Sequence, residues 1–399
     1  MTQKTEGVSE SVSRRKFVVA SGVGGAAMLA GCTGGDSTPT PGDTGGGDET
    51  EAPADEDTAT PEPDGMDTSS LTAEGSSTVY PIANKGSSYW NSNPPSDDGE
   101  YWGSNSEEGN TVPGWDQLNG ADGMRLADYF AGLYGFEPTG KQANPPFATR
   151  IGLSHSGTGC KAVVDGLVDI GNSSGPITAE LGWSEEKAKE EVVDHVLGRD
   201  GQPVVVSKDI YDAGVTELTG EEVRKIYQDE ITNWSEVGGP DQQIFCIGRA
   251  EGSGTDTAFR LNMLGGADAP MPGVDARFGQ NQQVAQQVQQ NDGAIAYMAL
   301  AFTSESVLPI AIDFEGTVYE PDPDAENTIF DSAYPLNRDL HQYTKITDET
   351  PSGTDMREGA FANMFLTDFG QEVFVRQVNY ITLPTKDIKS EREKLPEQA

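Results

Sequence analysis

The sequence predicts an α/β fold with mixed sheets. Two observations predict it. Short apolar strands alternate with helical stripes from Leu71 onward, and the hydrophobic residues, 35% of the chain, concentrate after that point. Strands are expected at 151–153, 168–170, 203–206, 244–247, 294–298 and 308–312. Helices fill the intervals. Val163, Val164, Leu167 and Val168 fall on one helical face. Thr219 and Glu222 have the spacing of a capping box, and Val223, Ile226 and Tyr227 supply the apolar face of the helix it opens. Val284, Ala285 and Val288 form a third stripe, and Phe361, Met364, Phe365 and Phe369 a fourth. Residues 84–147 break the pattern. They are rich in Asn, Ser, Gly and Pro, with Trp90, Tyr101, Trp102 and Trp115 among them, and read as a surface excursion with one helix around 124–134. Aromatic residues in such a segment more often pin it to the body than form a binding platform.

The first seventy residues read as an address and a tether. Ser13-Arg14-Arg15-Lys16-Phe17 precedes an apolar run too short to span a bilayer, as in a twin-arginine export signal over 1–31. Leu29-Ala30-Gly31-Cys32 resembles a lipobox, so Cys32 is the expected lipidation site. Residues 32–70 carry eleven acids, no Lys or Arg, and many Gly, Pro and Thr. That composition cannot bury enough apolar surface to offset its ordering entropy, so a disordered acidic stalk is expected.

The charge excludes some functions. Asp and Glu number 65 against 26 Lys and Arg, for a net −39 over 399 residues. No basic footprint exists for nucleic acid or for anionic lipid, so membrane contact is expected through the lipid anchor only. Self-repulsion of this size fades when the screening length falls to about 3 Å at molar salt. A salt-adapted, halophilic protein is implied.

Three glycine–hydroxyl loops carry the chemistry. They are Gly75-Ser76-Ser77-Thr78-Val79, Ser154-His155-Ser156-Gly157-Thr158-Gly159, and Arg249-Ala250-Glu251-Gly252-Ser253-Gly254-Thr255. Each runs into a helical pattern. Backbone N–H groups at a helix start favour an anion, glycine lets the backbone approach, and hydroxyls add donors. Arg249 adds a charged planar fork suited to a tetrahedral oxyanion. A single such loop is more often only an N-cap; three together indicate a site. No P-loop spacing, no nucleophile elbow and no metal-ligand spacing among His155, His195 and His341 is present, so neither catalysis, nor a metal, nor a cofactor is expected.

These loops, with Asp169-Ile170-Gly171-Asn172-Ser173-Ser174, Leu218-Thr219-Gly220, Ile231-Thr232-Asn233-Trp234 and Asp292-Gly293-Ala294-Ile295-Ala296-Tyr297, resemble the phosphate-specific substrate-binding lipoproteins of ABC transporters, of the type II periplasmic-binding-protein class, and a haloarchaeal source is expected. The resemblance covers most of 71–385. It implies two lobes joined by two hinge strands, with the anion in the cleft. Lobe one would hold 71–176 plus 300–399, and lobe two 177–299. It implies phosphate binding by Ser77, Thr78, Val79, Ser156, Ser174, Arg249, Ser253, Gly254 and Thr255. Glu251 would hold Arg249 in position and Thr158 would support the second loop. The expected partners are inorganic phosphate and ABC permease subunits, and the chain is expected to act as a monomer on the outer face of the cell membrane. The alternatives are a receptor for sulfate, molybdate or tungstate, and a phosphate-sensing or adhesion protein on the same fold. Ser174 stands where this family usually carries an Asp that accepts the proton of hydrogen phosphate, which weakens the implied discrimination against sulfate. Cys160 and Cys246 would lie in different lobes, where a bridge would lock the hinge, so both are expected to be free.

Overall fold

The computed structural model describes residues 66–96 and 118–399. The export signal, Cys32, nearly all of the stalk, and Tyr101, Trp102 and Trp115 lie outside the described residues.

The chain first lays down β1 (Leu71–Ser76), β2 (Thr149–Ser154), β3 (Ile170–Ser173) and β4 (Val192–Gly201). It then crosses at 202–203 into β5 (Val204–Ser207), followed by β6 (Glu217–Thr219), β7 (Phe245–Arg249), β8 (Ala276–Phe278), β9 (Ala294–Tyr297), β10 (Val307–Pro309), β11 (Ala311–Phe314) and β12 (Thr317–Tyr319). Residues 320–336 lead back to β13 (Asn337–Lys345). The first sheet has the order β2-β1-β3-β13-β4, and the second β10-β5-β9-β7-β8. A small third sheet, β12-β11-β6, flanks the second. In the first, β1 pairs parallel with β2 and β3, while β13 runs antiparallel to both β3 and β4.

The pairings draw the crossings differently from the expected lobe limits. Residues 192–201 belong to the first sheet, although lobe two was expected to begin at 177. Residues 307–309 extend the second sheet, although lobe one was expected to resume at 300. The expected strand at 308–312 is two strands in two sheets, β10 ending at Pro309 against β5 and β11 starting at Ala311 against β6. The helical face expected to include Leu167 stops earlier. Its helix ends at Val164, Gly166 turns the chain at φ 70°, and Leu167 is exposed.

Local sequence explains most elements. All four residues of β5 and of β9 are buried, as expected for strands covered on both faces. The Thr219 hydroxyl accepts the Glu222 N–H at 3.1 Å while the Glu222 carboxylate accepts the Thr219 N–H at 2.8 Å, completing the expected capping box. Trp90 is buried, donates from Nε1 to the Phe147 carbonyl at 2.8 Å, and packs on Phe147 and Phe361. This aromatic of the excursion is therefore a pin. The excursion's expected helix is present at Leu126–Gly132. Cys160 and Cys246 are both buried and free.

Helix Met356–Phe365 opens with a second capping box, in which the Glu358 carboxylate accepts the Asp355 N–H at 2.9 Å. Burial pushes the Glu358 carboxyl up to about 8, with Asp355 and Asp169 adding to the effect. The folded chain then holds a proton that the unfolded chain has released, so this group lowers stability as pH rises from about 4.5 to about 8. Glu358→Gln keeps the acceptor and removes the titration. The variant is expected to melt several degrees above the parent at pH 8 and close to it at pH 4.5, as read by thermal unfolding in molar salt; identical pH profiles would contradict this.

Candidate functional site

The three loops converge where the C-terminal ends of β1 and β7 face each other. Four helices frame the place: α1 (Tyr80–Ser92), α2 (Ser156–Val164), α3 (Gly254–Leu264) and α4 (Asn281–Gln290). Loop one leaves β1 through Gly75, at φ 139°. A Cβ there would lie 2.1 Å from the Asn172 carbonyl oxygen, so only glycine lets β1 approach β3 this closely. Ser77 and Thr78 follow, buried, and Val79 is the N-cap of α1. Ser156 opens α2, and its Oγ accepts the Ser174 N–H at 3.1 Å. Ser174 sits just past the end of β3 and accepts from the Ser76 hydroxyl at 2.9 Å. Arg249 ends β7, and Ser253 caps α3, whose first residues are Gly254 and Thr255.

The two lobes meet directly. Thr78 Oγ1 and Thr255 Oγ1 are 3.0 Å apart, and the Gly157 N–H donates to the Gly252 carbonyl at 3.2 Å. Gly254 fits against lobe one only because it has no side chain: a Cβ would lie 2.3 Å from Ser156 Oγ and 2.8 Å from Ser174 Oγ. All nine expected binding residues therefore gather in one buried region.

Arg249 is 1% exposed and reaches from the second sheet to Ser77 Oγ at 3.1 Å. Its other partners are the Asn281 carboxamide oxygen at 2.6 Å and the carbonyls of Phe278 and Gly279. Burial pulls its pKa down to about 10, and Arg338 pushes the same way, yet the group stays charged at neutral pH. Its backbone N–H donates to the Tyr297 hydroxyl, which in turn donates to Asp256. Asp256 is locked by Arg260 and Arg277 at 2.7 and 3.2 Å.

Two supporting roles differ from expectation. Glu251 does not hold Arg249. It is exposed on the turn before Gly252, and the neutral Asn281 side chain and two carbonyls take that task. Thr158 faces outward from the first turn of α2 and is exposed.

Three residues of the region carried no sequence signal that was used. Asn281, the first residue of α4, donates from Nδ2 to both Ser77 Oγ and Thr78 Oγ1, at 3.1 and 3.2 Å. Arg338, on β13, lies within 3.4 Å of polar atoms of Thr78, Ser174, Gly254 and Thr255. Asp200, near the end of β4, holds Arg338 at 2.6 Å. No local spacing marks them: Asp200 adjoins Arg199, Arg338 adjoins Asp339, and Asn281 is a neutral residue at a helix start.

Two lobes, a double crossing between them and donor-rich helix starts on both inner faces define the class of two-lobed ligand-binding proteins. The profile of a family described as a PBP superfamily domain matches residues 138–373, and the chain belongs to that superfamily. Its relatives include the phosphate-binding protein PstS of Bacillus subtilis, 32% identical over 205 residues, which are 51% of this chain and 63% of that relative. The chain thus matches less than two thirds of that protein's length. Another is the phosphate-binding protein PstS of Staphylococcus haemolyticus, 26% identical over 255 residues, 62% of this chain and 76% of the relative. Among solved structures, a Clostridium perfringens substrate-binding protein with bound phosphate aligns with a TM-score of 0.54 at 20% identity, over 79% of this chain and 100% of that one. An ABC-type phosphate transport receptor from Vibrio cholerae aligns at 0.50, also 20% identical, with the same coverage. These two likenesses establish the fold. Among the described residues no helix is long and apolar enough to cross a membrane, and no group of His, Cys, Asp and Glu is arranged to hold a metal ion.

Proposed function

We propose that this chain is a receptor that binds inorganic phosphate between its lobes and hands it to an ABC permease, without catalysing a reaction. One observation carries the reading. Donors from both lobes converge on one buried place with Arg249 among them, and Arg249 has no carboxylate partner among the described residues. A desolvated guanidinium whose partners are all neutral is suited to an anionic guest. The names of the Bacillus and Staphylococcus relatives point to phosphate as that guest. The binding set is Ser77, Thr78, Val79, Ser156, Ser174, Arg249, Ser253, Gly254 and Thr255. The lobes are bounded by the crossings at 202–203 and 320–336. The twin arginines and the lipobox at Cys32 support export and lipid anchoring at the extracellular face of the cell membrane.

Calorimetric titration of the purified chain in molar salt tests the reading. Phosphate is expected to saturate one site per chain, with sulfate, molybdate and tungstate weaker. Uptake of one of those anions with no uptake of phosphate would overturn it.

A further inference from the structure

A second guanidinium lies on the same hydroxyls. Arg338 Nη2 is 3.3 Å from Thr78 Oγ1 and 3.2 Å from Thr255 Oγ1. Its Nη1 is 3.4 Å from Ser174 Oγ and 3.0 Å from the Gly254 carbonyl. We propose that Arg338 is a second charged binding residue of the cleft, donating its fork to the bound oxyanion, and that Asp200 positions it for this. The proposal rests on reading the cleft as an oxyanion site, and it adds a residue from a strand outside the three loops.

The geometry separates two edges of the fork. Asp200 Oδ2 accepts from Nε at 3.0 Å and from Nη2 at 2.6 Å, while Asp200 Oδ1 accepts the Leu300 N–H at 2.8 Å. That edge is short, charge-assisted and fixed. The other edge makes only contacts to neutral hydroxyls and carbonyls, at 3.0–3.4 Å. A guanidinium has five N–H donors, and anion oxygens can replace those neutral contacts without disturbing the Asp200 pair. Asp200 and Arg338 are both buried. A buried ion pair is weak evidence for stability, so its position against four expected ligand contacts calls for another role.

The charges complete the argument. Arg249 is supplied by the second sheet and Arg338 by the first. Asp200 is paired with Arg338, whereas no ion pair to Arg249 is present among the described residues, so the Arg249 charge is not offset by direct contact. The two guanidiniums repel each other across the contact between lobes. A bound dianion turns that repulsion into two attractions, one to each lobe, so the ligand's own charge favours closure.

The test uses phosphate calorimetry on the full chain, in molar salt at pH 8, for the parent, Arg338→Lys and the double variant Arg338→Met/Asp200→Asn. The double variant removes both charges together and leaves no unpaired carboxylate in the interior. Thermal unfolding without phosphate checks that each variant folds. The double variant is expected to melt cooperatively and to lose about 100-fold or more in affinity, and Arg338→Lys about tenfold or more, because the lysine keeps charge without the fork. Affinities within about threefold of the parent in folded variants would overturn the proposal, since that is less than one charge-assisted contact is worth. Where the double variant does not fold, Arg338→Lys decides alone. A parent chain that takes up no oxyanion would instead overturn the reading of the cleft itself.

Discussion

Arg249→Ala is expected to abolish most phosphate binding while the second lobe stays folded. The side chain is buried, and its guanidinium bridges Ser77 of one lobe to Asn281 and two carbonyls of the other. Removing it deletes a desolvated charge-assisted donor and takes a partner from the Gly279 carbonyl, while the Asn281 oxygen keeps the Ala299 N–H and the Phe278 carbonyl keeps the Ala250 N–H. Losses of this kind amount to about 3 kcal/mol or more, roughly 150-fold in affinity. The packing that defines the lobe does not depend on the guanidinium. Tyr297 stacks on Phe259 with ring centres 3.9 Å apart, and Asp256 keeps its ties to Arg260 and Arg277. Titration calorimetry with parallel near-ultraviolet circular dichroism checks both halves. An affinity unchanged by the substitution would remove Arg249 from the site.

Gly254→Ala is expected to have an effect of similar size by another route. Glycine 254 has ordinary helical backbone, so its Cβ brings no local strain. The obstacle lies across the gap, where Ser156 Oγ and Ser174 Oγ would be 2.3 and 2.8 Å from the added carbon. Both hydroxyls are engaged with neighbours, Ser156 with the Ser174 N–H and Ser174 with Ser76. Retreat therefore breaks the network that shapes the first two loops. The variant should fold with an unchanged melting midpoint in the absence of ligand if the lobes are apart there. Its phosphate affinity should fall about 100-fold, since the closed contact is the one penalised. Small-angle scattering should show no compaction at phosphate concentrations that saturate the parent. A variant that compacts and binds like the parent would show that the contact at Gly254 is dispensable.

The legible part of the site is its local part. Each glycine–hydroxyl loop is contiguous, and its meaning, a helix start with free donors, is written in adjacent residues. Three strands of the second sheet, β5, β7 and β9, are legible for the same reason, as apolar runs such as Val204–Ser207, whereas β8 carries no such run and β10 reads as one strand with β11. The first sheet was read poorly. Its two longest strands, β4 and β13, carry sequences with His, Asp, Arg and Gln, and many of those polar residues are buried. Hydrophobic periodicity has nothing to report there. Those same strands bring Asp200 and Arg338 into the cleft, from positions 138 residues apart. Asn281 is likewise 204 residues from Ser77. A single polar residue that reaches the site through tertiary pairing leaves no local spacing to recognise. Glu251 shows the converse: the family resemblance implies that it holds Arg249, and the fold turns it to solvent.

The position of β13 also sets a constraint on how the molecule is made. This strand lies between β3 and β4, and in the first sheet β4 pairs with β13 alone. The second sheet, by contrast, is complete once the chain has reached Pro309. During synthesis the later-encoded lobe can assemble first, while β3 and β4 wait with open edges for a strand translated after the entire other lobe. A chain ending before Asn337 would present those edges to its neighbours, a recognised route to aggregation. Assembly of the cleft is then among the last steps the nascent chain completes, because the strand that carries Arg338 is also the one that closes the sheet.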